Sequence, residues 1–275
     1  MGVSTWFFAG LGLVRHLGAQ VLSAGADLLF PRACAACDQP LSDPDAVFCI
    51  ECHATLQPLP RDQICPRCAL PASDSQALRR LQLGPQVLSV CPACAMWPRA
   101  LVALHAPFEY GGALAEAIVR SKWHARFDLL SPLARLLYPS LIAAIERCTV
   151  VIPVPLHGQR LRQRGYNQAA LLAQASLGLL RPDQRRKLQP HWLLRQRMDP
   201  PARNASSTDR ARRVHGAFAV ANCARVRGQR VLLVDDVVTT GATIGACTQA
   251  LHAAGADAVE AVALARVLSA TAPDR

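Results

Sequence analysis

The stretch that decides the fold is residues 231–243, VLLVDDVVTTGAT. An apolar run ends in two adjacent carboxylates, Asp235 and Asp236, and a turn of threonine and glycine follows. This order predicts a buried strand over residues 231–234, a tight turn, and a helix that runs through Ala254. Because ligands of open α/β sheets bind at the carboxyl ends of the strands, the same stretch predicts a binding site.

The turn has the composition of an anion site. Its N–H groups and those of the helix N-terminus favour negative charge, the threonine hydroxyls add donors, and Gly241 lets the backbone approach an anion closely. Carboxylates do not bind phosphate directly, because both groups are negatively charged. Asp235 and Asp236 can instead bind the vicinal hydroxyls of a ribose, or a Mg²⁺ ion through water. The pattern predicts a ribose that carries a 5′-phosphate. The competing interpretation is structural, with Thr240 or Thr243 merely capping the helix.

Strand-like and helix-like segments alternate over the chain from about residue 100. Apolar runs predict strands over residues 101–105, 150–152, 217–220 and 258–265. Apolar spacing of three and four predicts helices over residues 112–123, 131–147 and 166–180. This alternation indicates an α/β fold, with a parallel sheet covered by helices on both faces.

Eight of the eleven cysteines form four CxxC pairs before residue 95. In a cytoplasmic chain such pairs indicate metal binding rather than disulfides. Two pairs complete the tetrahedral four-thiolate site that suits zinc, and the filled coordination shell makes both predicted ions structural. The expected ligands are Cys34, Cys37, Cys49, Cys52, Cys65, Cys68, Cys91 and Cys94.

Two ways of sharing these pairs between the ions remain open. In a sequential arrangement the first two pairs hold one ion and the last two hold the other, whereas a cross-braced arrangement interleaves them. The gaps inside each sequential site are 11 and 22 residues, which is enough for a ribbon hairpin, and this favours the sequential arrangement.

The positive charge is concentrated in one segment. Residues 181–230 carry thirteen basic and three acidic residues, so their net charge of +10 is nearly the whole +11 of the chain. Such a segment is expected to bind phosphate, in a nucleotide, a pyrophosphate or a nucleic-acid backbone. The alternative interpretation is that the chain uses Arg heavily throughout. Hydrophobic residues make up 51% of the chain, which excludes a disordered protein or a purely nucleic-acid-binding tail.

No apolar stretch has the length of a membrane span. The apolar run over residues 3–14 has no basic residue before it, which makes it a poor signal peptide. We therefore expect a cytoplasmic protein with no membrane insertion.

Three motifs together resemble the competence protein F family. VLLVDDVVTTGAT is similar to the phosphoribosyl-pyrophosphate (PRPP) loop of the type I phosphoribosyltransferases. VIPVPLH at residues 151–157, with Arg160 and then RGYNQ at residues 164–168, resembles the family signature that precedes that loop. LFPRACAAC at residues 29–37, the paired CxxC knuckles and Lys122 follow the family order.

The resemblance implies a type I phosphoribosyltransferase-like fold that binds PRPP with Mg²⁺. It implies that the PRPP-binding residues are Asp235, Asp236, Thr239, Thr240, Gly241, Ala242, Thr243, Arg160, Arg164 and Arg210. The catalytic residues it implies are Asp235, Asp236, Lys122 and Arg164. The apolar run, the CxxC pairs and the change of pattern after Trp97 and Pro98 divide the chain into an apolar helical segment (1–33), a double zinc ribbon (34–98) and a phosphoribosyltransferase-like domain (99–275).

The family also implies a role in DNA uptake and natural transformation, with single-stranded DNA or other transformation proteins as partners. Family members carry a mobile arm with a Gln, an Arg and an Asn. Alignment on residues 217–218 puts Arg210 on the Arg, but Ala202 stands where the Gln is expected and Arg213 where the Asn is expected. Two functions therefore stay open: phosphoribosyl transfer to an unknown acceptor, and PRPP sensing or single-stranded-DNA binding with little or no turnover.

Overall fold

A computed structural model describes residues 32–43, 45–71, 79–83, 86–94, 97–123, 126–198 and 214–268. Residues 1–31 of the expected apolar segment lie outside this range, as do Ala202, Arg210 and Arg213 of the arm. The helices are α1 (Ile50–His53), α2 (Gly112–Trp123), α3 (Leu130–Ile145), α4 (Gly158–Arg164), α5 (Gln168–Gly178), α6 (Pro182–Arg185), α7 (Cys223–Val226) and α8 (Ala242–Ala253). The strands are β1 (Arg79–Leu83), β2 (Gln86–Val90), β3 (Leu101–His105), β4 (Phe108–Glu109), β5 (Val150–Pro153), β6 (Leu193–Arg195), β7 (Phe218–Val220), β8 (Arg230–Val238) and β9 (Ala258–Arg266).

The main sheet is parallel, in the order β3-β9-β8-β5, and β4 pairs with the end of β9. Val231 of β8 lies opposite Val150 of β5 on one side and Val259 of β9 on the other. The two pairs β1-β2 and β6-β7 are separate two-stranded antiparallel sheets. The predicted parallel α/β fold is therefore confirmed.

Helices cover both faces of this sheet because the side chains of its strands alternate. Leu232 and Val234 of β8 pack into the cluster that holds α3 and α5, whereas Val231 and Leu233 pack into the cluster that holds α8 and β7. Each fully buried Leu or Val contributes about 1.5–3 kcal/mol of hydrophobic stabilisation. These two layers fix the strands and thereby the carboxyl edge where the predicted site lies.

Strand β8 is longer than the sequence predicts. The expected strand ends at Val234, but in the structure it continues to Val238 because β9 continues to Arg266 beside it. Asp235 pairs with Ala263 along this extension. The two carboxylates therefore lie within the last paired residues of the strand rather than in the turn.

Among the described residues, one helical stretch is long and apolar enough to span a membrane by these two criteria, Phe127–Ile145. Half of that stretch is buried in the protein, and Leu133, Leu137 and Leu141 of α3 are completely buried in the core cluster beside the sheet. This is the packing of a core helix, and the stretch is weak evidence for a membrane span.

Some of the basic residues in the segment 181–230 have structural partners. Arg185 donates to the carbonyls of Leu180 and Gly178 just after α5, and Lys187 donates to the carbonyls of Ile145 and Cys148 at the end of α3. Cations at helix C-termini satisfy carbonyls that lack helical partners and oppose the negative end of the helix dipole. Part of the local charge excess therefore serves the fold rather than a phosphate ligand.

Candidate functional site

An ion pair joins the carboxyl end of β8 to α2. Lys122 Nζ lies 2.7 Å from Asp236 Oδ2, and both side chains are largely buried. Burial disfavours the charged form of Lys122, but Asp236, helped by Asp235, raises its pKa above the ordinary value, so Lys122 is a cation. Burial and the neighbouring Asp236 raise the pKa of Asp235 to about 7, partly offset by Lys122. The structure thus brings together three of the four residues expected to be catalytic.

The turn after β8 presents the start of α8 without a side-chain cap. Gly241 is the N-cap residue, with a left-handed φ of 80°, and no side chain bonds to the first turn of the helix from that position. Thr240 Oγ1 accepts only a long hydrogen bond, 3.4 Å, from the N–H of Ala242. Open N–H groups at a helix N-terminus attract anions. Residues 239–243 therefore have the local geometry of a phosphate site, beside the carboxylate pair.

The RGYNQ motif docks the loop after β5 against the same region. The Tyr166 hydroxyl donates to the Ser121 carbonyl, next to Lys122, and Asn167 caps α5 while its amide donates to the Val154 carbonyl at 3.0 Å. Arg164 lies at the end of α4, two residues before Tyr166, and it donates to Gln168 Oε1 at 3.3 Å.

Arg164 and Arg160 add positive charge to the edge. Burial and the nearby charge of Arg160 lower the pKa of Arg164, and Asp236 acts on it in the opposite direction. Gln168, absent from the expected site residues, is buried, and its Nε2 has no hydrogen-bond partner within the described parts of the chain. Gln168 Nε2 is therefore an unsatisfied donor beside Arg164 among the described residues, and it is closed to solvent.

Each zinc ribbon gathers four cysteines in the sequential arrangement. One cluster is Cys34, Cys37, Cys49 and Cys52; the other is Cys65, Cys68, Cys91 and Cys94. Sulfur–sulfur separations of 3.4–3.9 Å agree with the ~3.8 Å edge of a tetrahedron whose Zn–S bonds are about 2.3 Å. The thiolate sets therefore fit structural zinc.

The two ribbons repeat one knuckle. In the first, the N–H of Cys34 bonds to the carbonyl of Gln39, and Asp38 has a positive φ; in the second, the N–H of Cys65 bonds to Leu70, and Ala69 has a positive φ. The surroundings differ, because all four sulfurs of the second cluster are buried whereas Cys37 of the first is exposed.

Two buried arginines and a tryptophan join the second ribbon to residues 239–243, here called the phosphate turn. Arg67, inside the third CxxC pair, is fully buried and donates to the carbonyls of Leu101, Cys94, Trp97 and Pro98. Arg266 at the end of β9 donates to Cys68 of the ribbon and to Val238 and Thr239 of the turn. The Trp97 ring lies against Gly241, where a Cβ would overlap it. The conformation of the turn therefore depends on the second ribbon.

The first ribbon supports the other half of the site. Arg120 of α2 donates to the carbonyl of Ala35 and pairs with Asp38. The N–H of Ala113, at the start of the same helix, bonds to the Thr55 hydroxyl at 2.9 Å. Helix α2 carries Lys122, so the first ribbon steadies the lysine and the second steadies the turn.

Two protein-family models match the chain. Residues 25–95 match the double zinc ribbon domain, and residues 171–275 match the phosphoribosyl transferase domain. Competence protein F of Haemophilus influenzae is 32% identical over 176 residues, which cover 62% of this chain and 73% of that protein. The chain belongs to the competence protein F family.

Other relatives of this competence F-family chain match over more of its length. DNA utilization protein YhgH of Escherichia coli is 29% identical over 250 residues, which cover 88% of the chain and 100% of that protein. Competence protein ComFC of Streptococcus pneumoniae is 28% identical over 230 residues, 82% of the chain and 90% of that protein.

We expect the purified competence F-family protein to contain two zinc ions, released at different rates. The first cluster has an exposed ligand, Cys37, and the second is buried, so a chelator should remove the first ion sooner. A colorimetric zinc reporter with a thiol reagent measures both steps. A single release phase, or metal analysis that finds fewer than two ions in reduced protein, would contradict the account.

Replacing Gly241 with Ala should lower the melting temperature. A left-handed backbone costs a Cβ-bearing residue about 1–2 kcal/mol, and displacing the Trp97 ring adds about 1–3 kcal/mol. Gly228→Ala is the matched control, since Gly228 has a φ of 73° and open space around it. Thermal unfolding of both variants separates strain from contact, and equal losses would show that Trp97 is not packed on the turn.

Proposed function

We propose that the chain binds PRPP together with Mg²⁺ at the carboxyl edge formed by β5 and β8, and transfers its phosphoribosyl group to an acceptor. The observation that carries the proposal is the Lys122–Asp236 ion pair beside the uncapped N-terminus of α8. The cation of this pair suits the pyrophosphate of PRPP, and the carboxylates suit its ribose hydroxyls. The open N–H groups at the start of α8 suit its 5′-phosphate.

Each residue has a role in this proposal. Residues 239–243 hold the 5′-phosphate, and Asp235 and Asp236 accept hydrogen bonds from the ribose hydroxyls. Lys122 and Arg164 supply fixed positive charge to the pyrophosphate as its bond to the anomeric carbon breaks, and the electron pair leaves with it. The carboxylate pair would also hold a Mg²⁺ ion, which would supply charge neutralisation to the pyrophosphate. The acceptor's nucleophile forms the new bond to the anomeric carbon.

The biological setting of the proposal is DNA handling. The relatives are named for DNA utilization and competence, and we carry that role to this chain, with single-stranded DNA or other transformation proteins as partners. Within it, the ribbons over residues 34–98 are structural, the transferase-like part is 99–275, and the protein acts in the cytoplasm without membrane insertion.

The residue types in the mobile arm favour a second function. Ala202 and Arg213 replace the Gln and Asn that the family resemblance leads one to expect before Ala217 and Phe218. A chain without these groups would keep the phosphate turn and the carboxylate pair, and would act as a PRPP sensor or a single-stranded-DNA-binding module with little turnover.

Exchange of labelled pyrophosphate into PRPP discriminates these functions. The reaction is run with a panel of nucleobases and DNA ends, and PRPP binding is measured in parallel. Exchange with one acceptor supports transfer, and binding without exchange supports the sensing module. If PRPP does not bind at all, both functions are wrong. The variant Asp235→Asn/Asp236→Asn is the negative control.

A further inference from the structure

A cavity of about 400 Å³ lies away from the candidate PRPP site. Its walls come from the edge strand β3, from α3, and from the segment of residues 61–66 that leads into the second ribbon. Arg230 lines it at the first residue of β8, five residues before Asp235, so the two sites are separated by about 17 Å along the strand. The cavity therefore belongs to the amino end of the sheet.

A buried carboxylate organises the polar side of this cavity. Glu260 of β9 accepts from Arg147 Nε at 3.0 Å and Nη2 at 2.7 Å, and from His105 Nε2 at 3.0 Å. Burial opposes its ionisation, but His105 and Arg147 lower the pKa of Glu260 to about 2, so it is an anion. This carboxylate holds the Arg147 guanidinium in a fixed bidentate geometry.

The cavity nevertheless keeps an excess of positive charge. Three arginines, Arg61, Arg147 and Arg230, face the single carboxylate of Glu260. Arg230 Nε donates to the Arg147 carbonyl at 2.8 Å, which leaves its Nη groups, with Nη2 4.0 Å from Glu260, to face the cavity. Arg61 makes one long hydrogen bond, 3.5 Å, to the Pro139 carbonyl. Guanidinium groups with spare donors recognise phosphate in a bidentate manner.

The remaining wall is apolar. Ile64 and Pro66 lie on the ribbon side and Val102 on the strand side, and all three are at least partly exposed. Ligand pockets of about 300–1,000 Å³ hold small molecules, so this cavity takes a body of nucleotide size rather than a long chain. Nucleobases pack on apolar side chains and stack on guanidinium planes.

We propose that this cavity binds a nucleoside monophosphate, with its phosphate on Arg61 and Arg230 and its base against the apolar wall around Ile64 and Val102. The ligand is either a free nucleotide or one nucleotide of a single-stranded nucleic acid, since both present the same chemistry. This site is independent of PRPP binding at the other end of the sheet.

The test is calorimetric titration of the full-length, zinc-loaded protein with deoxyadenosine 5′-monophosphate. Arg230→Gln and Arg61→Gln should each weaken binding by at least about tenfold, because each removes charged hydrogen bonds to the phosphate. Arg61 is exposed and weakly bonded, so that variant should keep its fold. Arg186→Gln, an exposed Arg beyond the opposite sheet edge, should change nothing. Deoxyadenosine and inorganic phosphate, each lacking one half, should bind more weakly than the nucleotide.

A further variant separates the two sites. Saturating ribose 5-phosphate occupies the turn of residues 239–243, so in its presence Thr243→Val should leave nucleotide binding in the cavity unchanged. If Thr243→Val weakens binding while Arg61→Gln and Arg230→Gln do not, the nucleotide binds in the turn and the proposal is overturned, as it is if no binding occurs. Competition by a short oligodeoxyadenylate identifies a strand as the source of the nucleotide, and lack of competition identifies the free nucleotide.

Discussion

Replacing Cys68 with Ser should release one zinc ion and weaken PRPP binding by at least about a hundredfold, because a structural zinc site contributes about 10–16 kcal/mol of binding free energy to local folding. The Cys68 carbonyl also accepts from Arg266, whose other hydrogen bonds hold Val238 and Thr239. Loss of the knuckle therefore releases the phosphate turn. Metal analysis and calorimetry with PRPP measure the two effects.

Cys37→Ser is the matched control for this variant. It also removes one ligand from a four-cysteine site, but its ribbon contacts α2 rather than the turn. We expect it to release one ion and to weaken PRPP binding much less than Cys68→Ser, with the parallel sheet and its helices still folded by circular dichroism. Equal losses of PRPP affinity in the two variants would show that the second ribbon stabilises the turn no more than the first ribbon does.

The double change Asp235→Asn/Asp236→Asn should weaken PRPP binding by at least about tenfold. Asn is nearly isosteric with Asp, so packing is kept, but the charge that attracts Mg²⁺ and strengthens the bonds to ribose is lost. Hydrogen bonds to a charged group contribute about 1.5–3 kcal/mol each, and 1.4 kcal/mol is about a factor of ten. Inorganic phosphate should bind the turn almost as before, because residues 239–243 are untouched.

The control for charge alone is Asp257→Asn, an exposed carboxylate just before β9. Because Asp236→Asn also removes the partner of Lys122, thermal unfolding of the double variant is measured in parallel. Unchanged PRPP affinity in a folded double variant would mean that the carboxylates only end a strand, and the ribose interpretation would be wrong.

The strand–turn–helix and the zinc ligands were accessible from sequence because their signals are local. A run of apolar residues followed by Asp235, Asp236 and a threonine-glycine turn is enough by itself to predict a strand, a turn and a helix. The CxxC spacing likewise predicts a metal-binding knuckle. The sequential sharing of the pairs, favoured by the gap lengths, is the arrangement found. Only the family resemblance indicates Lys122, since nothing around it in the sequence indicates that α2 ends beside Asp236.

The contacts that unite ribbon and turn have no local signal. Arg67 and Arg266 resemble any surface arginine in sequence, yet both are buried, and their acceptors lie far along the chain. Gly241 was expected to admit an anion, and the structure adds a second reason for glycine, the Trp97 ring. The length of β8 depended likewise on its neighbour β9, which no window around residue 235 contains.

Calorimetric titration of the wild-type, zinc-loaded protein with PRPP, with and without Mg²⁺, tests the central claim most directly. We predict saturable binding of a single PRPP per chain, weakened when Mg²⁺ is chelated and displaced by ribose 5-phosphate, which shares the ribose and the 5′-phosphate. Absence of saturable binding, or binding that neither Mg²⁺ nor ribose 5-phosphate affects, would contradict the assignment of this edge of the sheet to PRPP.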